Sequence, residues 1–142
     1  MNKWKITAVA MAVGLALVLT GCVSADKTDP AATAQGQKGT VTKIDAATAY
    51  ERMGASDDYT LVDVRTPDEF SQGHIQGAIS LPDYNVAAWA SQVLPDKDAV
   101  IYVYCRSGSR SAASSALLAE MGYTNVYDMG GIINWTYGTV TE

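Results

Sequence analysis

Residues 105–110 read Cys-Arg-Ser-Gly-Ser-Arg and follow an unbroken apolar run, Val100, Ile101, Tyr102, Val103 and Tyr104. Such a run suits a strand buried on both faces of a parallel sheet, and a helix is expected directly afterwards over residues 111–121. The thiol then lies at the carboxyl end of a strand, where open α/β sheets bind ligands. A tight turn there aims successive backbone N–H groups inward and sits at the positive end of the helix behind it. Gly108 permits a backbone turn that other residues resist. Arg106 and Arg110 add positive charge. These surroundings lower a cysteine's pKa and hold an anion beside it. The segment therefore reads as a thiolate generator and an anion cradle, with Cys105 as nucleophile. An inert core thiol is the plainer alternative, and the Gly- and Arg-containing turn speaks against it.

The elements that must position this loop alternate between short apolar runs and helical stretches, the pattern of an α/β fold with a largely parallel sheet. Asp45 can cap a helix over residues 46–53, with Gly54 placed to end it in a left-handed turn. Residues 60–64 form a strand. Thr66, Pro67 and Glu69 then supply a capping box with proline at the first helical position, and Gly73 stops that short helix. A strand over residues 78–81 is closed by Pro82, and a helix over residues 86–93 by Leu94-Pro95. In the helix after the loop, Ala113, Ala116, Leu117 and Met121 share one face at helical spacing. Residues 125–129 give a last strand and residues 132–137 a short final helix.

Two stretches carry a resemblance to a known family. CRSGSRS, followed by a helix and then YTNVYDMGGIINW, resembles the active loop and carboxyl-terminal half of single-domain rhodaneses. DVRTPDEFSQGHIQGAISLP resembles that family's second signature, an Asp-x-Arg strand end and a Gly-His-Ile-x-Gly-Ala turn. The resemblance implies a central five-stranded parallel sheet flanked by helices on both faces. It also implies a sulfurtransferase whose Cys105 accepts a sulfane sulfur as a persulfide. Arg106, Ser107, Gly108, Ser109 and Arg110 match the loop that stabilises the persulfide. The implied chemistry is two-step covalent catalysis, in which a small anionic donor such as thiosulfate hands its sulfur to a thiol or cyanide acceptor. It calls for no metal and no organic cofactor.

Loop length separates this chemistry from a related one. The loop is C-x₄-R, whereas cysteine phosphatases enclose phosphate in C-x₅-R. The shorter loop suits a single sulfur atom, so a small cysteine phosphatase is the weaker alternative, beside a non-catalytic rhodanese-type sensor or binding module. His74 is the only histidine, yet attack by a thiolate needs no base, and the turn holding His74 is structural in the family. Asp63 and Arg65 are expected to pair and organise strand ends. Trp89, Trp135 and the tyrosines are expected in core and rim packing.

The amino terminus reads as an export signal: Lys3 and Lys5, an uncharged and largely apolar run over residues 6–20, then small residues before Cys22. Leu19-Thr20-Gly21-Cys22 resembles the lipobox of bacterial lipoproteins. That resemblance implies a signal peptide over residues 1–21, acylation of Cys22 and attachment to a bacterial membrane, with Val23 pointing to the outer one. An uncleaved anchor helix is the alternative. Residues 22–39, rich in Ala, Thr, Gly, Gln and Asp, read as a flexible tether to a domain over residues 40–142. The 142 residues contain two cysteines, so lipid on Cys22 leaves Cys105 without a partner in the chain. A net charge of −5 lacks the basic footprint of a nucleic-acid binder.

Overall fold

Strand β4 (Val100–Cys105) organises the domain, because its two faces bury different partners. Ile101, Val103 and Cys105 point to one side, where they join Val86, Ala90 and Leu94 beneath one helix and Leu118 and Tyr123 from another. Tyr102 and Tyr104 point to the other side, against Ala49, Leu61, Ile75 and Met129. A strand buried on both faces has no polar side to alternate with, which is why its sequence is a continuous apolar run.

The computed structural model describes residues 38–141. Before β4 come β1 (Thr40–Lys43), α1 (Ala46–Ala55), β2 (Thr60–Asp63), α2 (Pro67–Ser71), β3 (Ile79–Ser80) and α3 (Val86–Val93). After it come α4 (Ser109–Glu120) and β5 (Asn125–Gly131), with single 3-10 turns at Asp83–Asn85 and Ile132–Asn134. All pairings are parallel, and the strand order is β1-β5-β4-β2-β3. Helices α3 and α4 cover one face and α1 the other. This is the five-stranded parallel sheet flanked by helices that the resemblance implies. The sheet order brings the carboxyl ends of β2, β4 and β5 side by side, and the cysteine loop springs from the middle one.

Local signals in the sequence operate as expected at two helix starts. Asp45 accepts from the Thr48 amide at 2.7 Å. Thr66 and Glu69 form both halves of a capping box around Pro67. Elsewhere the structure departs from the pattern. Helix α1 continues through Gly54 and ends at Ser56 in extended backbone, so Gly54 is an ordinary helical residue and not a left-handed stop. Its open surroundings remove any need for the turn.

Helix α4 buries only part of the expected face: Leu117 and Met121 pack against the core, and a row of small residues beside them is buried more deeply. Ser111, Ser114, Ser115, Leu118 and Ala119 face the sheet, while Ala113 and Ala116 are exposed. Small side chains let the first turns of α4 lie close to the sheet, and Ser111 finds a partner there. Apolar periodicity therefore finds Leu117 and Met121 but misses the three buried serines, which are polar by type. Trp89 is 55% exposed and packs in no core. The final helix shrinks to one 3-10 turn, after which the chain turns at Gly138 and pairs Val140 with His74. Gly39, read as the last tether residue, is docked. Its amide donates to the Ala119 carbonyl at 2.8 Å, and a side chain there would strike the Tyr123 carbonyl.

Candidate active site

Cys105 is the last residue of β4 and is buried, with 1% of its surface exposed. Gly108 then turns the chain with φ of 107°, a left-handed conformation open to glycine at little cost. That turn swings the Gly108 amide back, and it donates to Cys105 Sγ at 3.1 Å. Burial pushes the thiol pKa up, but the amides of Ser111, Gly108 and Ser107 outweigh it and leave the pKa below the usual thiol range. The loop thus favours thiolate mainly through backbone dipoles at the start of α4.

The first turn of α4 and the end of the neighbouring strand β5 hold the loop in place. Ser111, at the start of α4, donates its hydroxyl to buried Asp128 on β5 at 2.6 Å. The same Asp128 oxygen accepts from the Gly130 amide at 3.0 Å. The β4–β5 register shifts between Val103 and Tyr104, so that Tyr104 pairs with Gly130 and Cys105 with Gly131. Gly131 lies directly under the loop. A Cβ there would stand 2.5 Å from the Arg106 carbonyl and 2.7 Å from Ser107 Cα. Asp128, Gly130, Gly131 and Ser111 were not among the site residues read from sequence. Their signal is the DMGG string at a strand end, whose two glycines mark a close approach of backbone.

The two loop arginines behave differently. Arg110 does not lie free beside the thiol. Its guanidinium makes a bidentate pair with Glu69 of α2, Nη1 to Oε2 and Nη2 to Oε1, both 2.8 Å. Glu69 Oε2 also accepts from the Thr66 amide at 3.1 Å. The Arg110 guanidinium, against the opposing effect of burial, holds the Glu69 carboxyl down to about 2. Glu69 was read as a helix cap alone, and its position in the site is new. Arg106 is exposed and, among the described residues, makes no ion pair or side-chain hydrogen bond. It lines a depression of about 280 Å³ with Arg65, Glu69, Gln72, Gly73, Ile132 and Ile133. Ser107 and Ser109 are exposed on the loop's outer side.

Asp63 and Arg65 form a buried pair beside the loop. Arg65 Nη2 lies 2.6 Å from Asp63 Oδ2, and the Arg65 amide donates to Oδ1 at 2.9 Å. Arg65 Nη2 also donates to the Gly73 carbonyl at 2.7 Å, tying β2 to the end of α2. His74 is buried, stacked on Phe70 at 3.8 Å between ring centres, with Nδ1 at 3.0 Å from the Phe70 carbonyl. Its backbone pairs with Val140 in both directions. These three side chains brace the loop's surroundings and none is a hydrogen-bond partner of Cys105. A cleft of about 630 Å³, lined by Tyr50, Tyr59, Trp135 and Tyr137 among others, includes no loop residue. No group of His, Cys, Asp and Glu suited to a metal occurs among the described residues. Cys22 lies outside them.

A parallel α/β sheet with a thiol at the head of an amide-lined C-x₄-R loop defines a class of thiol-bearing domain. The chain belongs to the rhodanese-like domain family, whose model matches residues 45–137. It is 42% identical over 96 residues to a sulfurtransferase of Allochromatium vinosum, covering 67% of this chain and 88% of that protein. It is 41% identical over 71 residues to the thiosulfate sulfurtransferase PspE of Escherichia coli, covering 50% of this chain and 68% of that one. Among solved structures, a rhodanese-related protein from Thermoplasma volcanium matches with a TM-score of 0.62 at 34% identity, covering 71% of this chain and 99% of that one. A rhodanese with anions from E. coli matches with a TM-score of 0.56 at 36% identity, covering 59% and 99%.

Proposed function

We propose that this protein is a thiosulfate sulfurtransferase of the rhodanese type, working through a persulfide on Cys105. The observation that carries the proposal is the Gly108 amide donating to Cys105 Sγ within a six-residue loop. In the first step the Cys105 thiolate attacks the outer sulfur of thiosulfate. A new S–S bond forms, the donor's S–S bond breaks, and sulfite leaves with that bonding pair. In the second step a thiolate or cyanide attacks the outer sulfur of the persulfide, and Cys105 departs as thiolate. The loop amides that favour the thiolate also favour the terminal persulfide anion, which places preorganised dipoles where negative charge sits in both resting forms.

The buried thiol and the short loop favour sulfur over phosphate as the group carried. A tetrahedral phosphate needs amides arranged around three oxygens, and the C-x₄-R loop closes on one sulfur. The relatives named as sulfurtransferases support the same reading. The test is incubation of the full chain with thiosulfate and then cyanide. Thiocyanate release that disappears in Cys105→Ser supports the proposal, and p-nitrophenyl phosphate hydrolysis without thiocyanate release opposes it. We further propose that Cys22 carries lipid and anchors the domain to a bacterial membrane, a reading that rests on the lipobox-like Leu19-Thr20-Gly21-Cys22.

A further inference from the structure

Charge bookkeeping at the mouth of the loop leaves one cation over. Arg65 is cancelled by Asp63, and Arg110 is cancelled by Glu69 in a bidentate pair, so Arg106 alone is unpaired. The Glu69 carboxylate also lines the depression that Arg106 and Arg65 share. A carboxylate in the wall of a site meant for anions is costly to donor binding unless it does something else there. Its role as helix cap does not require the contact with Arg110, because an N3 Glu caps by reaching its own N-cap residue.

We infer that Glu69 is a positioning residue for Cys105: it fixes the Arg110 guanidinium and cancels its charge, and so sets how readily the thiol ionises and how tightly an anionic donor is held. The inference rests on the sulfur-transfer reading only for the second effect. With Glu69 in place the mouth offers thiosulfate one free positive charge, and without it two, so Glu69 loosens the hold on a dianionic donor. The thiol senses Arg110, whose guanidinium is held more firmly protonated by Glu69 first and by Cys105 as well.

Other charges surround the loop: Arg106 on the loop itself, Arg65 paired with Asp63, Asp83, which acts on Arg110, Asp128 bonded to Ser111, and Lys43 and Asp45 in the depression that Ser107 and Gly108 line. All of these remain constant in the variants below.

The test is the pH profile of Cys105 alkylation by iodoacetamide in the full chain, followed at the Cys105 peptide by mass spectrometry. The reagent is neutral and needs no sulfur transfer, so failure of the sulfur-transfer reading leaves this measurement intact. Glu69→Gln is expected to move the midpoint down by about 0.5 pH unit or more, because a negative charge near the thiolate is lost. Glu69→Asp should stay near wild type. Thr66→Ala, which weakens the cap but keeps the ion pair, should lower the melting temperature without moving the midpoint. Arg110→Gln should move it upward, and it serves alone if Glu69→Gln does not fold. An unchanged or raised midpoint in folded Glu69→Gln, or an unmoved one in Arg110→Gln, overturns the inference. For donors, Glu69→Gln should lower the thiosulfate concentration that half-loads Cys105, and a higher requirement counts against the claim that Glu69 loosens the hold on the donor.

Discussion

At the scale of single residues, the site is built from backbone amides and two ion pairs more than from free charges. Arg110, which the sequence presents as part of an anion cradle, spends its guanidinium on Glu69. That pairing makes a pH prediction whose sign is fixed. The Glu69 pKa is depressed from 4.5 to about 2 in the folded protein. A depressed carboxyl contributes stability that is present above its unfolded value and disappears as pH falls through the folded one. Urea unfolding of wild type and Glu69→Gln should therefore differ at neutral pH and converge between about pH 4.5 and 2. A difference that persists undiminished through that range contradicts the pairing. The buried Asp63–Arg65 pair responds differently, because removing one partner strands the other. Asp63→Ala should cost about 3–5 kcal/mol, read by the same unfolding experiment.

At the scale of elements, the loop's position depends on β5 approaching it closely. Gly131→Ala puts a methyl group within 2.5 Å of the Arg106 carbonyl and 2.7 Å of Ser107 Cα, and both are backbone. The substitution should destabilise the domain by about 1–3 kcal/mol and slow Cys105 alkylation, as the displaced loop loses its aim on the sulfur. Gly54→Ala, at an open helical position, should be neutral or stabilising by the same assay. These two glycines show which parts of the fold were legible. Strand β4, the capping box at Thr66–Glu69 and the Asp45 cap are local signals, and each appears where its residues predict it. The buried face of α4 was legible only in part. Ser111, Ser114 and Ser115 are polar by type, and Ser111 is accommodated inside by acceptors that folding brings to it, Asp128 on β5 foremost. The Glu69–Arg110 contact was hidden for the same reason: 41 residues separate its partners. Cys105 and its loop were legible because six adjacent residues carry them.

At the scale of the whole molecule, the described domain and the amino-terminal segment answer separate questions. The domain's parallel sheet puts Cys105 at the carboxyl end of a central strand, where open α/β sheets bind ligands. The segment's lipobox-like end motivates a membrane anchor, and Cys22→Ser tests it. Expressed in a bacterium, wild type should fractionate with membranes and the variant should not; a variant that stays in the membrane fraction favours an uncleaved anchor helix. The account as a whole turns on what Cys105 carries. The most direct measurement is the intact mass of the full chain after incubation with thiosulfate and removal of excess donor, with the modified peptide then located. The expected result is one added sulfur atom on Cys105, lost on adding cyanide and absent in Cys105→Ser. A mass that does not change, in a protein whose Cys105 still reacts with iodoacetamide, would contradict it.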